Sequence, residues 1–259
     1  MKTETQIKEE RSSWFQREKD WELKQSIIFN KNLVRLTFLE VDRLMKLLGK
    51  VDKNSKILDL CCGIGRHSME FARLGYSVTG VDITESYLKL AKNNSEKQNL
   101  DIEYIHSDMR DFRQFNTFEV IVNLCTSFGY FEDINDDIKV LENVYNSLVD
   151  EGKFVIEILG KEVIASTFKE IEEFDYEGYK VKAVSKILND WSLLECRRSI
   201  VKDGIKEEIV AFHRLYSATE LKEHLERIGF KNIKVYGDFG GAPYDNHAKS
   251  MIMVCEKQG

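Results

Sequence analysis

The residues of this chain with the clearest capacity for chemistry form one short run, Asp59-Leu60-Cys61-Cys62-Gly63-Ile64-Gly65. The run follows an apolar stretch that predicts a strand and precedes a stretch that predicts a helix. Gly63 and Gly65 let the backbone approach a ligand closely at the N-terminus of that helix, where free N–H groups bind polar ligands. A glycine pair of this kind is weak evidence by itself, so the run needs support from elsewhere in the chain.

That support comes from Asp82, which ends the next predicted strand. An acidic residue at such a strand end can accept hydrogen bonds from ribose hydroxyl groups. Asp59 would repel the pyrophosphate of a dinucleotide, but it would attract the ammonium group of a methionine-like ligand. Ser68 could stand for the third small residue of a nicotinamide-binding motif, so a nicotinamide-dependent oxidoreductase stays open as an alternative.

The run resembles motif I of the class I S-adenosylmethionine-dependent methyltransferases, in which an acid and any residue precede G-x-G-x-G. In this chain Cys61 takes the place of the first glycine. Four further segments are similar to motifs of the same family: residues 78–82, 107–109, 123–124 and 148–152. Together they span about residues 55 to 160, and the predicted helix and two strands at the end of the chain also match the family's ending.

The resemblance implies a cofactor and a set of residues that bind it. S-adenosyl-L-methionine would be the cofactor, with Asp82 at its ribose and Asp108 and Met109 at its adenine. The implied cofactor-binding residues are Asp59, Cys61, Gly63, Gly65, Asp82, Ile83, Asp108, Met109, Asn123 and Leu124. Methyl transfer from a sulfonium group requires positioning and exclusion of water more than a catalytic motif, and no such motif is visible.

The main candidates for the acceptor side are Arg66, Tyr130, Glu157, Tyr244 and His247, and His213, Arg214 and Tyr216 are considered beside them. Glu157 is polar within an apolar predicted strand, so it could hold a substrate amine or form a salt bridge. Tyr244 and His247 belong to a glycine-rich loop that could cover the pocket as a lid. Arg66 could bind a carboxylate or pair with an acidic neighbour. His213 follows the apolar pair at 211–212, which favours a structural role.

Alternating strand and helix patterns from residue 56 to residue 159 must position these side chains. Such alternation predicts a parallel sheet with helices on both faces, which is an α/β fold of the Rossmann-like class I methyltransferase type. Residues 1–50 carry a broad apolar stripe with helical spacing and predict N-terminal helices that form a helical cap. Residues 51–160 then form the predicted cofactor-binding core.

The pattern changes beyond Gly160. Apolar and polar residues alternate over 179–187, 191–201 and 205–216, with Asn-Asp and Asp-Gly turns between them, which predicts three antiparallel strands. Residues 161–216 would thus be an inserted antiparallel β meander that roofs the cleft as a lid. Residues 217–259 begin with an S-x-x-E capping box and would complete the core sheet with one helix and two strands.

The composition limits the partners and the location. Lys and Arg total 38 against 44 Asp and Glu, and this net charge of −6 argues against nucleic acid as a partner. No apolar run reaches the ~18–20 residues of a membrane span, and residues 1–10 lack the apolar segment of a signal peptide, so a cytoplasmic protein without a membrane partner is expected. The five cysteines contain no C-x-x-C pair, which predicts neither disulfides nor a metal site.

These observations combine into one expected function and two alternatives. A roofed cleft and an acidic charge balance favour S-adenosylmethionine-dependent methyl transfer to a nitrogen or oxygen atom of a small molecule. The alternatives are a nonenzymatic S-adenosylmethionine-binding sensor and the nicotinamide-dependent oxidoreductase. The sequence leaves open the acceptor, the choice between nitrogen and oxygen, the use of a general base and the oligomeric state, because fold and cofactor do not fix the acceptor.

Overall fold

The structure, a computed structural model, describes residues 13–259, so residues 1–12 of the predicted cap lie outside the described residues. A 3-10 turn at Trp14–Gln16 precedes helix α1 (Glu18–Ile28) and helix α2 (Lys31–Leu48). The Asn30 side chain accepts a hydrogen bond from the N–H of Leu33 and caps α2. The C-terminal half of the predicted apolar stripe is buried, whereas large apolar side chains of the first half, such as Phe38, remain exposed.

A seven-stranded sheet forms the centre of the molecule. Its strands are β1 (Lys56–Leu60), β2 (Ser77–Asp82), β3 (Ile102–His106), β4 (Phe118–Asn123), β5 (Leu148–Ile158), β10 (Phe230–Tyr236) and β11 (Met251–Lys257). Their order in the sheet is β10-β11-β5-β4-β1-β2-β3, with β11 antiparallel to both of its neighbours and the remaining pairs parallel. The predicted Rossmann-like α/β fold is therefore confirmed.

Helices cover both faces of this sheet. They are α3 (Arg66–Arg73), α4 (Glu85–Glu96), α5 (Ile134–Ser147) and α7 (Ala218–Ile228), together with α2. Consecutive residues of β1, Ile57 and Leu58, belong to separate hydrophobic clusters, and the same holds for Val120 and Ile121 of β4. Because side chains alternate across a strand, each central strand supplies both clusters, which explains why consecutive residues in the middle of these strands are apolar.

Strand β5 begins at Leu148, before the apolar stretch at 154–159 that predicts the strand. Residues 148–152 resemble a turn in sequence, but they belong to the strand as an irregular stretch, since Phe118 pairs with Leu148 while Val120 pairs with Lys153. Glu151 has a φ of +62°, the left-handed conformation that such a bulge requires. The turn-like composition therefore reflects a bulge in the first residues of β5 and not a separate turn before the strand.

The inserted segment forms a second, antiparallel sheet with four strands where three are predicted. Helix α6 (Lys161–Thr167) leads into β6 (Ile171–Tyr176), β7 (Tyr179–Leu188), β8 (Leu193–Lys202) and β9 (Ile205–Arg214), which pair in chain order. The prediction missed β6 because it is an exposed edge strand whose charged residues hide the alternation. The predicted capping box of α7 at Ser217 and Glu220 is confirmed.

None of the helices within residues 13–259 combines the length and the apolar character that a membrane-spanning helix needs.

Candidate functional site

A cavity of about 950 Å³ lies between the carboxyl ends of the central strands, helix α1 and the inner face of the four-stranded sheet. This volume is near the upper end of the ~300–1,000 Å³ that is typical of ligand sites. The predicted cofactor-binding residues that line it are Asp59, Cys61, Gly63, Asp82, Ile83, Asp108, Met109 and Leu124. Most of the residues that the family motifs single out thus lie around one space, although they come from four different strand ends.

The loop after β1 keeps the conformation that glycines normally provide. Cys61 has a φ of +65°, Gly63 of +56° and Gly65 of +73°. For Cys61 the left-handed conformation costs roughly 1–2 kcal/mol, because its Cβ approaches the following carbonyl oxygen. The N–H of Cys62 donates to the carbonyl oxygen of Val81 at 2.9 Å and holds the loop against β2. The cysteine that replaces the first motif glycine therefore follows the path of a glycine loop.

Asp82 connects the end of β2 to that loop. Its Oδ2 accepts a hydrogen bond from the N–H of Gly63 and its Oδ1 accepts one from the N–H of Thr84, both at 2.8 Å. Burial raises the pKa of this carboxyl group, whereas the two N–H donors lower it. Each carboxylate oxygen has a second lone pair, so Asp82 can accept further hydrogen bonds from hydroxyl groups in the cavity.

Asp59 places a second buried carboxylate at the end of β1. Its Oδ2 accepts a hydrogen bond from the Ser68 hydroxyl at 2.5 Å. Burial raises the pKa of Asp59, while the nearby His67 and the Ser68 hydroxyl lower it. Since Asp59 also lines the cavity, a cationic ligand group there would offset part of the cost of burying its charge.

Arg110 orients the third acidic residue of the wall. It contacts both carboxylate oxygens of Asp108, with Nη2 2.7 Å from Oδ2, and its Nη1 lies 3.0 Å from Asp136. The guanidinium group also lies 4.5 Å from the ring centroid of Phe131. Asp108 is thus held rigidly at the edge of the cavity by a paired cation.

Gly65 and Asn123 do not line the cavity, although the family resemblance assigns them to the cofactor. A Cβ on Gly65 would overlap the hydroxyl of Tyr104, so this position is needed for packing. The Asn123 side chain donates to the carbonyl oxygens of Leu60 and Ser127, at 3.2 and 3.3 Å. These bonds join the ends of β1 and β4, so Asn123 positions the wall from behind it.

The N-terminal segment covers the glycine loop. The Phe29 ring lies so close to Gly63 that a Cβ there would be 2.7 Å from the Phe29 Cζ atom. Phe29 packs edge-on against Tyr87 at 5.2 Å, and the Tyr87 hydroxyl donates to the carbonyl oxygen of Trp21. Helix α1 therefore forms one side of the cavity directly above the loop.

A Gly63→Ala variant tests this close contact. We expect the affinity for S-adenosylhomocysteine to fall about tenfold or more, because the new methyl group must displace Phe29 and the alanine must adopt a positive φ. Isothermal titration calorimetry measures the effect. Gly204→Ala is the control, since Gly204 has a φ of +78° and no atom within 4 Å of its Cβ position. Equal affinities for Gly63→Ala and the parent would refute a role for the contact.

One wall of the cavity is aromatic. The ring centroid of Tyr130 lies 4.9 Å from that of Trp14 and 5.1 Å from that of His213. Burial lowers the pKa of His213 to about 3, so its imidazole is neutral at pH 7. Burial also raises the pKa of Tyr130. Both rings are therefore uncharged and present an apolar surface.

Arg66 lines the cavity as predicted for an acceptor-side residue, and it already has a carboxylate partner. Its Nη1 lies 2.5 Å from Oε2 of Glu40, and its Nη2 lies 2.8 Å from Sγ of Cys125. Burial acts to raise the pKa of Glu40, but hydrogen bonds from His67 and Arg66 lower it to about 2. Of the two interpretations of Arg66, pairing with an acidic neighbour is the one seen.

The other three main acceptor-side candidates do not line the cavity. Glu157 accepts a hydrogen bond from the N–H of Cys125 at 2.6 Å and thus supports the loop after β4 from outside. The Tyr244 hydroxyl donates to Glu162 at 2.9 Å, and His247 is exposed. The loop that carries Tyr244 and His247 joins β10 to β11, and these strands lie beyond β5 at one edge of the sheet.

Four cavity residues were not identified as functional from the sequence, namely Trp14, Trp21, Lys24 and Arg198, and His213, for which a structural role is predicted, also lines the cavity. They come from the 3-10 turn, helix α1 and strands β8 and β9. One signal was present for Arg198. It lies two residues after Cys196 and four after Leu194 on the same strand, so a charged side chain shares the inner face with two apolar ones. Lys24 and the two tryptophans carry no comparable local signal.

The chain is similar in sequence to known methyltransferases. Residues 57–152 match the model of a methyltransferase domain family. A putative methyltransferase of Bacillus subtilis, YqeM, is 27% identical over 216 residues, which cover 79% of this chain and 85% of the relative. Glycine/sarcosine N-methyltransferase of Aphanothece halophytica is 24% identical over 206 residues, covering 78% and 76% of the two chains.

Solved structures show the same fold. An S-adenosylmethionine-dependent methyltransferase from Clostridium acetobutylicum superposes with a TM-score of 0.78 and 17% identity, over 93% of this chain and 98% of that chain. An amino pentose methyltransferase from Micromonospora echinaspora, solved with S-adenosylmethionine bound, superposes with a TM-score of 0.62 and 18% identity, over 84% and 88% of the two chains.

Proposed function

We propose that this chain is a class I S-adenosylmethionine-dependent methyltransferase that transfers the methyl group to a nitrogen or oxygen atom of a small molecule. The observation that carries the proposal is the shared cavity, in which the motif residues at the strand ends and the inner face of the four-stranded sheet face one space of about 950 Å³. A roofed space of this size suits a cofactor together with a small acceptor better than a polymer.

Proteins similar to this chain support the proposal through the acceptors in their names. They include glycine/sarcosine N-methyltransferase, ubiquinone biosynthesis O-methyltransferases and a sugar N-methyltransferase. A 23S rRNA (uracil(747)-C(5))-methyltransferase matches only 26% of this chain. The small-molecule enzymes are therefore the better guide to the acceptor.

The residues at the cofactor end suit S-adenosylmethionine in charge and shape. Asp82 offers carboxylate oxygens for ribose hydroxyls, and the buried Asp59 offers a negative charge for the amino group. Met109 and Leu124 supply apolar walls. The bound cofactor supplies a methyl group already activated on a sulfonium sulfur, so the remaining work of the chain is to orient the acceptor and exclude water.

The proposal is tested by incubating the protein with S-adenosylmethionine and panels of amines and hydroxy compounds, followed by mass spectrometry for products heavier by one methylene unit. We expect at least one small acceptor to be methylated, and the Asp82→Ala variant to lose that product. Methylation of RNA or protein under the same conditions, with none of the small molecules modified, would overturn the proposal.

A further inference from the structure

We propose that the methyl acceptor carries an anionic group, such as a carboxylate or a phosphate, and that Lys24 and Arg198 bind this group beneath the four-stranded sheet. The inference rests on the proposed function, because it assumes a small acceptor inside the cavity. It goes further by assigning the charge of that acceptor and the two side chains that recognise it.

Lys24 is a buried cation with no counter-ion among residues 13–259. It lies on α1, is 3% exposed and lines the cavity. Its Nζ atom lies 4.4 Å from the ring centroid of Trp21 and 5.2 Å from that of Trp14. Within residues 13–259 no carboxylate lies within 4 Å of this ammonium group, and no hydrogen-bond acceptor contacts it.

Arg198 supplies the second cation. It lies on β8 and lines the cavity on the same face as Leu194 and Cys196. In the described part of the chain its guanidinium group has no hydrogen bond and no ion pair. A guanidinium group can bind a carboxylate or a phosphate through two parallel hydrogen bonds, so its unused donors are suited to an anionic ligand.

Each of the other Lys and Arg side chains that line the cavity has a carboxylate partner within the protein. The pairs are Arg66 with Glu40 at 2.5 Å, Arg214 with Asp137 at 3.0 Å, and Lys169 with Glu172 at 3.4 Å. Burying a charge without a partner is costly. A ligand anion would provide the missing partner for Lys24 and Arg198 and recover part of that cost.

The groups around Lys24 leave this end of the cavity positive. Arg17 and Asp20 of the same segment pair with each other at 3.3 Å and largely cancel. Burial lowers the pKa of Lys24 to about 8, and the like charge of Arg198 lowers it as well, whereas Asp20 and Cys196 act in the opposite direction. Arg198 and Lys24 also lower the pKa of the buried His213, which is therefore neutral.

The two cations lie beside the aromatic wall, which defines the rest of the acceptor site. Trp14 contacts both Lys24 and the ring of His213, the latter at 5.5 Å between centroids. An acceptor that fits this end has an apolar or planar body against the rings and an anionic group toward the cations. The same cavity is also lined by Asp59 and Asp82, whose negative charges suit the cofactor.

Binding to the protein loaded with S-adenosylhomocysteine tests the inference without turnover. Calorimetric titrations with benzoate and its neutral analogue benzamide compare two probes of nearly the same shape, and phenyl phosphate serves as a second anion. We expect at least one anion to bind about tenfold or more tightly than benzamide, as for charge-assisted hydrogen bonds. Lys24→Met and Arg198→Met should each remove most of this difference. Equal binding of benzamide and both anions to the parent would overturn the inference.

Two matched variants control for nonspecific loss of charge. Arg197→Met changes the neighbouring residue of β8, which pairs with Glu195 at 2.6 Å. Lys19→Met changes an exposed lysine of α1 that pairs with Glu207 at 3.1 Å. Both should bind the anions as the parent does. If either control weakens anion binding as much as Lys24→Met or Arg198→Met, general electrostatic attraction explains the data and the inference fails.

The pH dependence of binding separates an ionic contact from a structural role. Lys24 must be protonated to pair with an anion, so anion affinity should fall as the pH rises from about 7 to 9 through its pKa of about 8. Binding should be accompanied by proton uptake in this range, since the anion raises the pKa. Arg198→Met should shift the midpoint to higher pH, because it removes a repelling charge. A pH-independent affinity would contradict the role of Lys24.

Turnover distinguishes failure of this inference from failure of the proposed function. If neutral small acceptors are methylated with the same kcat/KM as their anionic analogues, the function stands and the inference fails. If anions bind through Lys24 and Arg198 but only a macromolecule is methylated, the anion site stands and the function fails. A lower kcat of Lys24→Met with unchanged KM for charged and neutral acceptors alike would show a role in proton transfer and overturn the inference.

Discussion

Replacing Asp82 with alanine should raise the Kd for S-adenosylhomocysteine by about 100-fold or more, and with it abolish methyl transfer. The substitution removes the expected hydrogen bonds to the ribose and also frees the N–H groups of Gly63 and Thr84, which Asp82 now fixes at 2.8 Å. Hydrogen bonds to a charged group contribute about 1.5–3 kcal/mol each, so losing two of them accounts for a factor of this size. Isothermal titration calorimetry measures the change.

Two further variants show whether the carboxylate itself matters. Asp82→Asn keeps the shape but replaces one acceptor oxygen with a donor, so we expect an intermediate loss. Glu85→Gln removes an exposed charge that pairs with Lys89 in the first turn of α4, and it should bind as the parent does. An Asp82→Ala variant that is folded and binds S-adenosylhomocysteine as tightly as the parent would show that the assigned ribose contact is wrong.

Replacing Arg214 with methionine should lower the free energy of unfolding by about 3–5 kcal/mol, the range found when one partner of a buried ion pair is removed. Arg214 lies 3.0 Å from Asp137, which is 1% exposed, and its Nη2 donates to the carbonyl oxygens of Phe131 and Glu132. The variant leaves the Asp137 charge buried with only the Tyr216 hydroxyl as a partner, at 2.7 Å. Urea unfolding followed by circular dichroism measures the loss.

The control variants separate the buried charge from lost contacts. Arg227→Met breaks an exposed pair with Glu223 and should cost less than about 1 kcal/mol. Combining Arg214→Met with Asp137→Leu should recover part of the stability, because no unpaired charge remains. If the double variant is as unstable as the sum of its single changes, the ion pair does not explain the effect.

The same buried carboxylate predicts a pH effect on stability. Burial raises the pKa of Asp137 to about 6, although Tyr216 and Arg214 act to lower it. A carboxyl group whose pKa is higher in the folded state favours folding when it is protonated, so this contribution weakens as the pH rises from about 4 to 6. In the Asp137→Leu background that part of the pH dependence should be absent from urea unfolding curves.

The cofactor end could be predicted from the sequence because its signals are local. Asp59, Gly63 and Asp82 each lie at the junction between an apolar strand and a helix, and parallel strands bring such junctions to one edge of the sheet. The pattern of strands alone therefore places them together. Asn123 is the exception, since a position at the end of a strand does not tell whether the side chain faces the cavity or the packing behind it.

The acceptor end could not be predicted, because it is built from segments far apart in the chain. Lys24 and Arg198 are separated by most of the chain and meet only when the four-stranded sheet packs over helix α1. No periodicity within one segment encodes such a contact. Glu157 stands out in the sequence as a polar residue within an apolar strand, which predicts a specific partner. That partner is the backbone N–H of Cys125, and the sequence gives no sign of it.

The position of β11 in the sheet has a consequence for synthesis of the protein. β11 is almost fully buried and pairs with β5 along its length, yet about 90 residues separate the two strands, including the whole four-stranded sheet. At translation rates of ~5–20 residues per second, the edge of β5 stays unpaired on the ribosome for roughly 5–20 s. An apolar strand edge exposed for that time is prone to pair with other chains. The yield of folded protein should therefore depend on chaperones that shield this edge until residues 251–257 emerge.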